Sequence, residues 1–308
     1  MGTGRFNYSD WKNYAKDTVS KAKSVTDIYT SRSIVDELDP KNIKMRESCD
    51  SPSNPNSTPI IIGLDETGSM GCIAESMARD GLVTLATEIY DRKPVPDPHI
   101  MFMGIGDVHA GDTAPLQVTQ FEADIRIAKQ LSKIYLEGRG GGNSFEGYIL
   151  AWYFASMHTR IDSFEKRKKK GFLFTIGDEE PTPNLLASHI ERVFGYNPQF
   201  KELSAEQLLT MVSRQYEVFH LIVEEGHHMR YGREEVIRKW RNLLGQRAIL
   251  LSDYKKMSEV IVSTLQVVNG ANTDTVISSW DGSTALVVEK AIKALDNNAK
   301  SNDGIVRF

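Results

Sequence analysis

Two kinds of apolar pattern alternate along the chain: short continuous runs rich in β-branched residues, and longer stretches in which apolar residues recur every three or four positions. The first run, Ile60-Ile61-Ile62-Gly63-Leu64, is entered through Pro59 and gives way to Asp65-Glu66-Thr67-Gly68-Ser69-Met70. It reads as a buried parallel strand that ends where its polar residues begin. Behind it, Ile73, Met77, Gly81, Leu85 and Ile89 predict a helix buried on a broad face and ended by Pro94, Pro96 and Pro98. A second strand is expected over 99–106, a short edge strand over 116–121, and a helix over 122–137 with Ile127, Leu131, Ile134 and Tyr135 on one side. The glycine-rich loop 138–147 feeds a helix over 148–157, for which Asn143 or Ser144 would supply the N-cap. Further strands follow at 171–178, 217–223 and 247–253, separated by helical segments around 184–194, 204–215 and 233–244 and closed by a helix over 255–268.

Strands that alternate with helices build right-handed βαβ units. The expected fold is therefore α/β, a Rossmann-like doubly wound, mostly parallel sheet with helices on both faces. Residues 1–47 are polar, with Trp11, Tyr14, Ala15, Val19, Ala22 and Val25 at approximate helical spacing, and read as an N-terminal helical extension packed on the main domain. Residues 48–58, with Ser-Pro, Asn-Pro and Thr-Pro steps, read as a linker. The main domain is expected over 59–268, and 269–308 as a tail with a short helix near 284–295.

Composition changes this picture mainly by exclusion. At 40% hydrophobic and 25% charged residues a sizeable core is available, so disorder is not the default. A net charge of −4 gives no electrostatic reason to expect nucleic acid or a membrane as a partner. The basic run Lys166-Arg167-Lys168-Lys169-Lys170 reads as a solvated helix end, where cations are favourable. Two cysteines, Cys49 and Cys72, are too few for a disulfide framework, and Cys72 reads as a small buried hydrophobe. With neither a signal-like start nor an apolar run of membrane-spanning length, a soluble, cytoplasmic protein is expected.

The candidate chemistry sits where strands end. Asp65, Thr67 and Ser69 stand two apart, so in a chain leaving a strand a carboxylate and two hydroxyls converge on one side. Open α/β sheets bind ligands at that end. Asn143 and Ser144 in the glycine loop and Asp178 after the next strand add oxygen donors at the same edge. Such donors suit a small hard cation that keeps some of its waters. Asp107, His109 and Asp112 form a second polar group at a strand end that either supplements this site or caps its own loop, and the adjacent His227 and His228 read as solvated turn residues.

Here the sequence resembles the von Willebrand factor A (vWA) family in its intracellular form. The metal-ion-dependent adhesion site (MIDAS) of that family uses D-x-[ST]-x-S after the first strand, which Asp65-Glu66-Thr67-Gly68-Ser69 matches. Gly140-Gly141-Gly142-Asn143-Ser144-Phe145-Glu146 resembles the G-G-G-D-x-P-E form of its second loop, with Asn143 in place of aspartate and Phe145 in place of proline. Phe174-Thr175-Ile176-Gly177-Asp178 resembles its fourth strand and terminal aspartate, with Gly177 ahead of Asp178. The resemblance covers residues 59 to about 255 and implies a metal set of Asp65, Thr67, Ser69, Asp178 and either Asn143 or Ser144. It implies Mg²⁺, with Mn²⁺ or Ca²⁺ as alternatives, and one coordination place left for an acidic side chain of a protein partner. It further implies an adaptor of a MoxR-type AAA+ ATPase, without catalytic turnover.

A rival reading is phosphoryl transfer, because Asp65-Glu66-Thr67-Gly68-Ser69 also resembles the D-K-T-G-T loop of haloacid dehalogenase-like phosphatases and P-type ATPases, with Asp65 as nucleophile. Against it, the soluble phosphatases place a second acid where Thr67 stands, and their late magnesium loop wants an aspartate where Thr182 stands. The glycine run lacks the lysine of a phosphate-binding P-loop.

Overall fold

The computed structural model describes residues 2–68, 70–138 and 142–295. Its centre is a six-stranded sheet of β1 (Thr58–Asp65), β2 (Pro98–Ile105), β3 (Leu116–Val118), β4 (Gly171–Gly177), β5 (Tyr216–Val223) and β6 (Ala248–Leu251), in the order β3-β2-β1-β4-β5-β6. Only the edge strand β3 is antiparallel to its neighbour. This is the doubly wound order, with its switch point between β1 and β4, where the two halves of the sheet diverge.

The alternation of side chains across β1 explains why its sequence is a continuous apolar run: both faces are covered. Ile60, Ile62 and Leu64 enter one core with α2 (Gly71–Ser76), α3 (Leu82–Arg92), α10 (Met257–Val268) and α12 (Gly282–Ile292). Ile61 enters the other, with α5 (Tyr148–Met157), α7 (Ala187–Phe194), α8 (Ala205–Val212) and α9 (Met229–Leu244). Every residue of α5 from Tyr148 to Ala155 is buried, as expected of a helix that is apolar all round.

The four-residue recurrence after β1 forms one helical run, α2 and α3 joined by a π turn at Met77–Gly81. The Ser258 hydroxyl of α10 donates to the Gly81 carbonyl at 2.7 Å, taking up a group that the wider turn exposes. Lys93 ends the run in a left-handed conformation, just before the proline cluster.

The helix expected over 122–137 shrinks to α4 (Arg126–Leu131). Glu122 is held extended by a backbone bridge to Ile100, and the Gln117 side chain brackets Tyr135, donating to its carbonyl and accepting from its N–H. Long-range pairing thus replaces helical bonds at both ends while Leu131 and Ile134 stay buried. The N-cap of α5 is Gly147, without a side-chain cap, and not Asn143 or Ser144.

At the amino end, α1 (Tyr8–Tyr14) continues into a π turn over Ala15–Val19 and lies on α2 and α3, with Trp11 buried and the Tyr14 hydroxyl donating to the Ala78 carbonyl at 2.8 Å. Helix α6 (Asp162–Arg167) opens the basic run, in which Lys166 pairs with Asp162 and Arg167 with Asp50. Residues 273–292 form α11 (Thr273–Ser278) and α12, whose Val288 and Ile292 are fully buried against the first core. No helix among the described residues is long and apolar enough to cross a membrane.

Candidate functional site

Strands β1 and β4 run side by side with Leu64 opposite Ile176, so Asp65 at the end of one and Asp178 just past the other emerge together at the carboxyl end of the strands. Asp65 is fully buried. Its Oδ1 accepts from the backbone N–H of Thr67 at 2.9 Å and from the Thr67 hydroxyl at 2.6 Å, an Asx-type turn that carries the loop back over the strand end. Its Oδ2 accepts from the Tyr148 hydroxyl at 2.8 Å, from the first residue of α5.

Gly177 makes that last bond possible. A Cβ there would run into the Tyr148 hydroxyl and stand 2.8 Å from Asp65 Oδ2. Gly226, after β5, is similarly constrained, because a Cβ would collide with the Asp178 carboxylate. Asp178 Oδ2 accepts from the His228 backbone N–H at 2.8 Å, while its buried Oδ1 has no partner among the described residues. Next to it, Glu179 Oε1 pairs with His228 Nε2 at 2.9 Å, and the Glu179 carbonyl accepts from the Trp240 indole at 2.8 Å.

The second loop joins the third through a short parallel pairing of Phe145–Glu146 with Glu180–Pro181. This pairing buries Glu146, whose Oε1 accepts from the Gly147 N–H at 2.7 Å. Asn143 is turned toward Asp107, its amide donating to Oδ2 at 2.5 Å, and the other Asp107 oxygen takes the His109 N–H at 2.7 Å. Asp112 accepts from the Asp107 N–H at 2.8 Å, so this second polar group closes its own turn and reaches the glycine loop through Asn143. Ser144 is exposed, and its carbonyl accepts from the Glu180 N–H at 3.1 Å.

Burial governs the electrostatics. It raises the Asp65 carboxyl above the ordinary carboxylate range against the pull of the Thr67 and Tyr148 donors, and the charge of Asp178 adds to the rise. Burial likewise lifts Asp178, opposed by the His228 N–H, and pushes Glu179 up to about 8, with Asp65 the next cause. Glu146 is raised by burial and then by Asp65. Several carboxyl groups within electrostatic reach are thus all disfavoured as anions, the environment in which a cation offsets most.

Among the sequence-predicted residues, Asp65, Thr67 and Asp178 come together, while Asn143 and Ser144 stand on the adjoining loop in the contacts just described. Ser69 lies outside the described residues, as do Gly140 and Gly141 of the glycine run. Among the described residues no group of three or more His, Cys, Asp or Glu side chains converges as a metal cluster, so a cation here would depend on hydroxyls beside carboxylates. Such a donor set would fit a hard, partly hydrated divalent ion, and two buried oxygens here, Asp178 Oδ1 and Glu179 Oε2, have no partner among the described residues.

Sequence reading missed Tyr148, Glu179 and the role of His228, and placed Glu146 in the second-loop motif without a role at the site. His228 is half-buried between Asp178 and Glu179 and is not a free turn residue. Tyr148 gives no local signal, because it looks like one more apolar position of α5. Cys72, expected to be buried, is half-buried at the margin of the first core, and burial pushes its thiol up.

No family model and no curated protein sequence matches the chain. Among solved structures it is similar to the pilus adhesin SpaC from Lactobacillus rhamnosus GG in its open conformation, at 11% identity and a TM-score of 0.49, covering 74% of this chain and 31% of the adhesin. A second form of that adhesin gives 10% identity and a TM-score of 0.49 over 71% of this chain. The conserved hypothetical protein BatB from Bacteroides thetaiotaomicron gives 15% identity and a TM-score of 0.31, covering 54% of this chain and 66% of BatB. The chain thus spans about a third of the adhesin's length.

Proposed function

We propose that this chain is a divalent-cation-dependent protein-interaction module of the vWA type, with Mg²⁺ the ion that suits its donors. The observation that carries the reading is the Asp178 carboxylate, buried beside Asp65 with one oxygen satisfied by His228 and the other without a partner among the described residues. Thr67 and Asp178 are the residues that would hold the ion, with Ser69 as a third donor by resemblance. Asp65 acts on Thr67, accepting the hydrogen bond of its hydroxyl so that the Thr67 oxygen lone pairs face away from the carboxylate. When bound, the ion supplies an open coordination place for an anionic oxygen.

The partner is a protein offering an acidic side chain, and an AAA+ ATPase of the MoxR type is the candidate that the family resemblance supplies. No turnover is required of such a site. Phosphoryl transfer is less well supported, because Asp65 is fully buried, which denies a phosphoryl group access to its oxygens.

Calorimetric titration of Mg²⁺, Mn²⁺ and Ca²⁺ into the wild type and Asp178→Ala, with a phosphatase assay on the same samples, tests this directly. Binding in the wild type that is lost in the variant, without phosphate release, is expected. Wild-type protein that takes up no divalent ion would refute the cation-dependent reading, and magnesium-dependent phosphate release that requires Asp65 would replace it with phosphoryl transfer.

A further inference from the structure

A cavity of about 600 Å³ lies at the amino ends of the strands, between the N-terminal segment and the main domain. It is remote from the candidate metal site, because β1 and β2 run parallel away from it. Its walls are apolar: Phe6 and Trp11 from the N-terminal segment, Ile89 from α3, Val95 from the turn after α3, Ile100 from β2 and Ile127 from α4. This volume, open to solvent on one side, falls in the range of small-molecule sites.

The polar lining combines Ser53, Asn54, Tyr90 and Asp97 with three donor-only side chains, Arg5, Trp11 and Lys93. Trp11 is 2% exposed and its indole N–H has no partner among the described residues. Arg5 and Lys93 also line the cavity, both exposed and without an ion pair among the described residues. The acid there, Asp97, already accepts the Asn56 N–H at 2.7 Å. The N-terminal segment is tied down over the cavity by the Asn54 amide, which donates to the carbonyls of Gly2 and Gly4. Phe6 stacks on Tyr90 with ring centroids 4.3 Å apart, so the wall is anchored at both ends.

We infer that this cavity binds an anionic amphiphile: a single apolar tail of alkyl-chain type, lying between Trp11 and Ile100, that carries a carboxylate met by Arg5, Lys93 and the Trp11 indole. An apolar tail matches the walls, and an acceptor head matches the buried Trp11 indole N–H, which has no partner among the described residues, together with the two exposed cations beside it. The site is independent of the cation-binding reading.

The test titrates dodecanoate, dodecanol and dodecylammonium, each below its micellar concentration, into the full chain, following binding by calorimetry and by tryptophan emission, with Trp11→Phe to assign the optical signal. Dodecanoate is expected to bind saturably and about tenfold or more tighter than the alcohol, the ammonium weakest of all. Arg5→Gln combined with Lys93→Gln changes only exposed side chains, so the fold is kept, and should bring dodecanoate down to the affinity of the alcohol. Equal binding of all three probes, absence of saturable dodecanoate binding, or a dodecanoate affinity unmoved by the double substitution would each overturn the assignment.

Discussion

The Tyr148 hydroxyl donates to Asp65 Oδ2 at 2.8 Å across 83 positions of chain, and it does so through the space that Gly177 leaves open. One helix start, one strand end and one side-chain-free position on the neighbouring strand therefore act together to orient the carboxylate.

Tyr148→Phe keeps the ring and deletes the donor, leaving a buried carboxylate oxygen unpaired. Stability should fall by about 1–3 kcal/mol, read from urea denaturation, and divalent affinity should weaken because Asp65 is no longer held in place. A variant as stable as the wild type, with unchanged affinity, would show that the bond orients nothing.

At Gly177 the expected cause is steric. Gly177→Ala introduces a Cβ that collides with the Tyr148 hydroxyl and should cost about 1–3 kcal/mol. Combined with Tyr148→Phe the loss should be less than additive, since the nearest of the colliding atoms is gone while the ring carbon and Asp65 Oδ2 remain. Strict additivity in the double-mutant cycle would place the strain elsewhere.

Asp178→Asn should separate stability from binding. The carboxylate is disfavoured by burial, so without divalent ions the variant should be as stable as the wild type or more so. The rise in melting temperature that Mg²⁺ confers on the wild type should vanish in it. Retention of that rise would remove Asp178 from the proposed donor set.

Asn143→Asp replaces the amide donor to Asp107 with a second acid, bringing two carboxylates face to face. The cation-free protein should lose stability, and divalent affinity should tighten, since an added charge is then best relieved by a cation. Thermal melts with and without Mn²⁺ decide this, an unchanged or weaker affinity excluding Asn143 from the site.

Acid sensitivity should come partly from His99, which is fully buried, contacts Ser48 at 3.0 Å and is lowered to about 4 by burial. Its folded pKa lies below the unfolded value of about 6.5, so the unfolded chain binds the proton more readily, and stability falls as pH drops from about 6.5 to about 4. The contribution is about 3 kcal/mol at full extent. His99→Gln should reduce the dependence of unfolding free energy on pH by about one proton over that window, as measured by denaturation at several pH values. A slope identical to that of the wild type would mean that His99 titrates normally.

The strand runs and the helix periodicities were legible because burial on two faces writes itself into consecutive residues. Ile60 to Leu64 is apolar without interruption, and the four-residue recurrence from Ile73 survives even a π turn. The segment 122–137 was misread for the opposite reason. Its helical pattern is real, but Gln117 and the Ile100 bridge, both distant in sequence, take the backbone bonds at its ends.

The sequence by itself determined the α/β layering, the strand ends, and the presence of Asp65, Thr67 and Asp178 at them, since all of these follow from local periodicity and from where apolar runs stop. Only the tertiary structure decided which groups surround those residues: Tyr148 against Asp65, His228 against Asp178 and Glu179, and Asn143 against Asp107 rather than at the head of a helix. The physical reason is that these contacts join residues from different elements, and their side chains meet only after the sheet has twisted and its helices have docked on both faces. Local pattern places a residue at the end of a strand. Packing decides what it touches there.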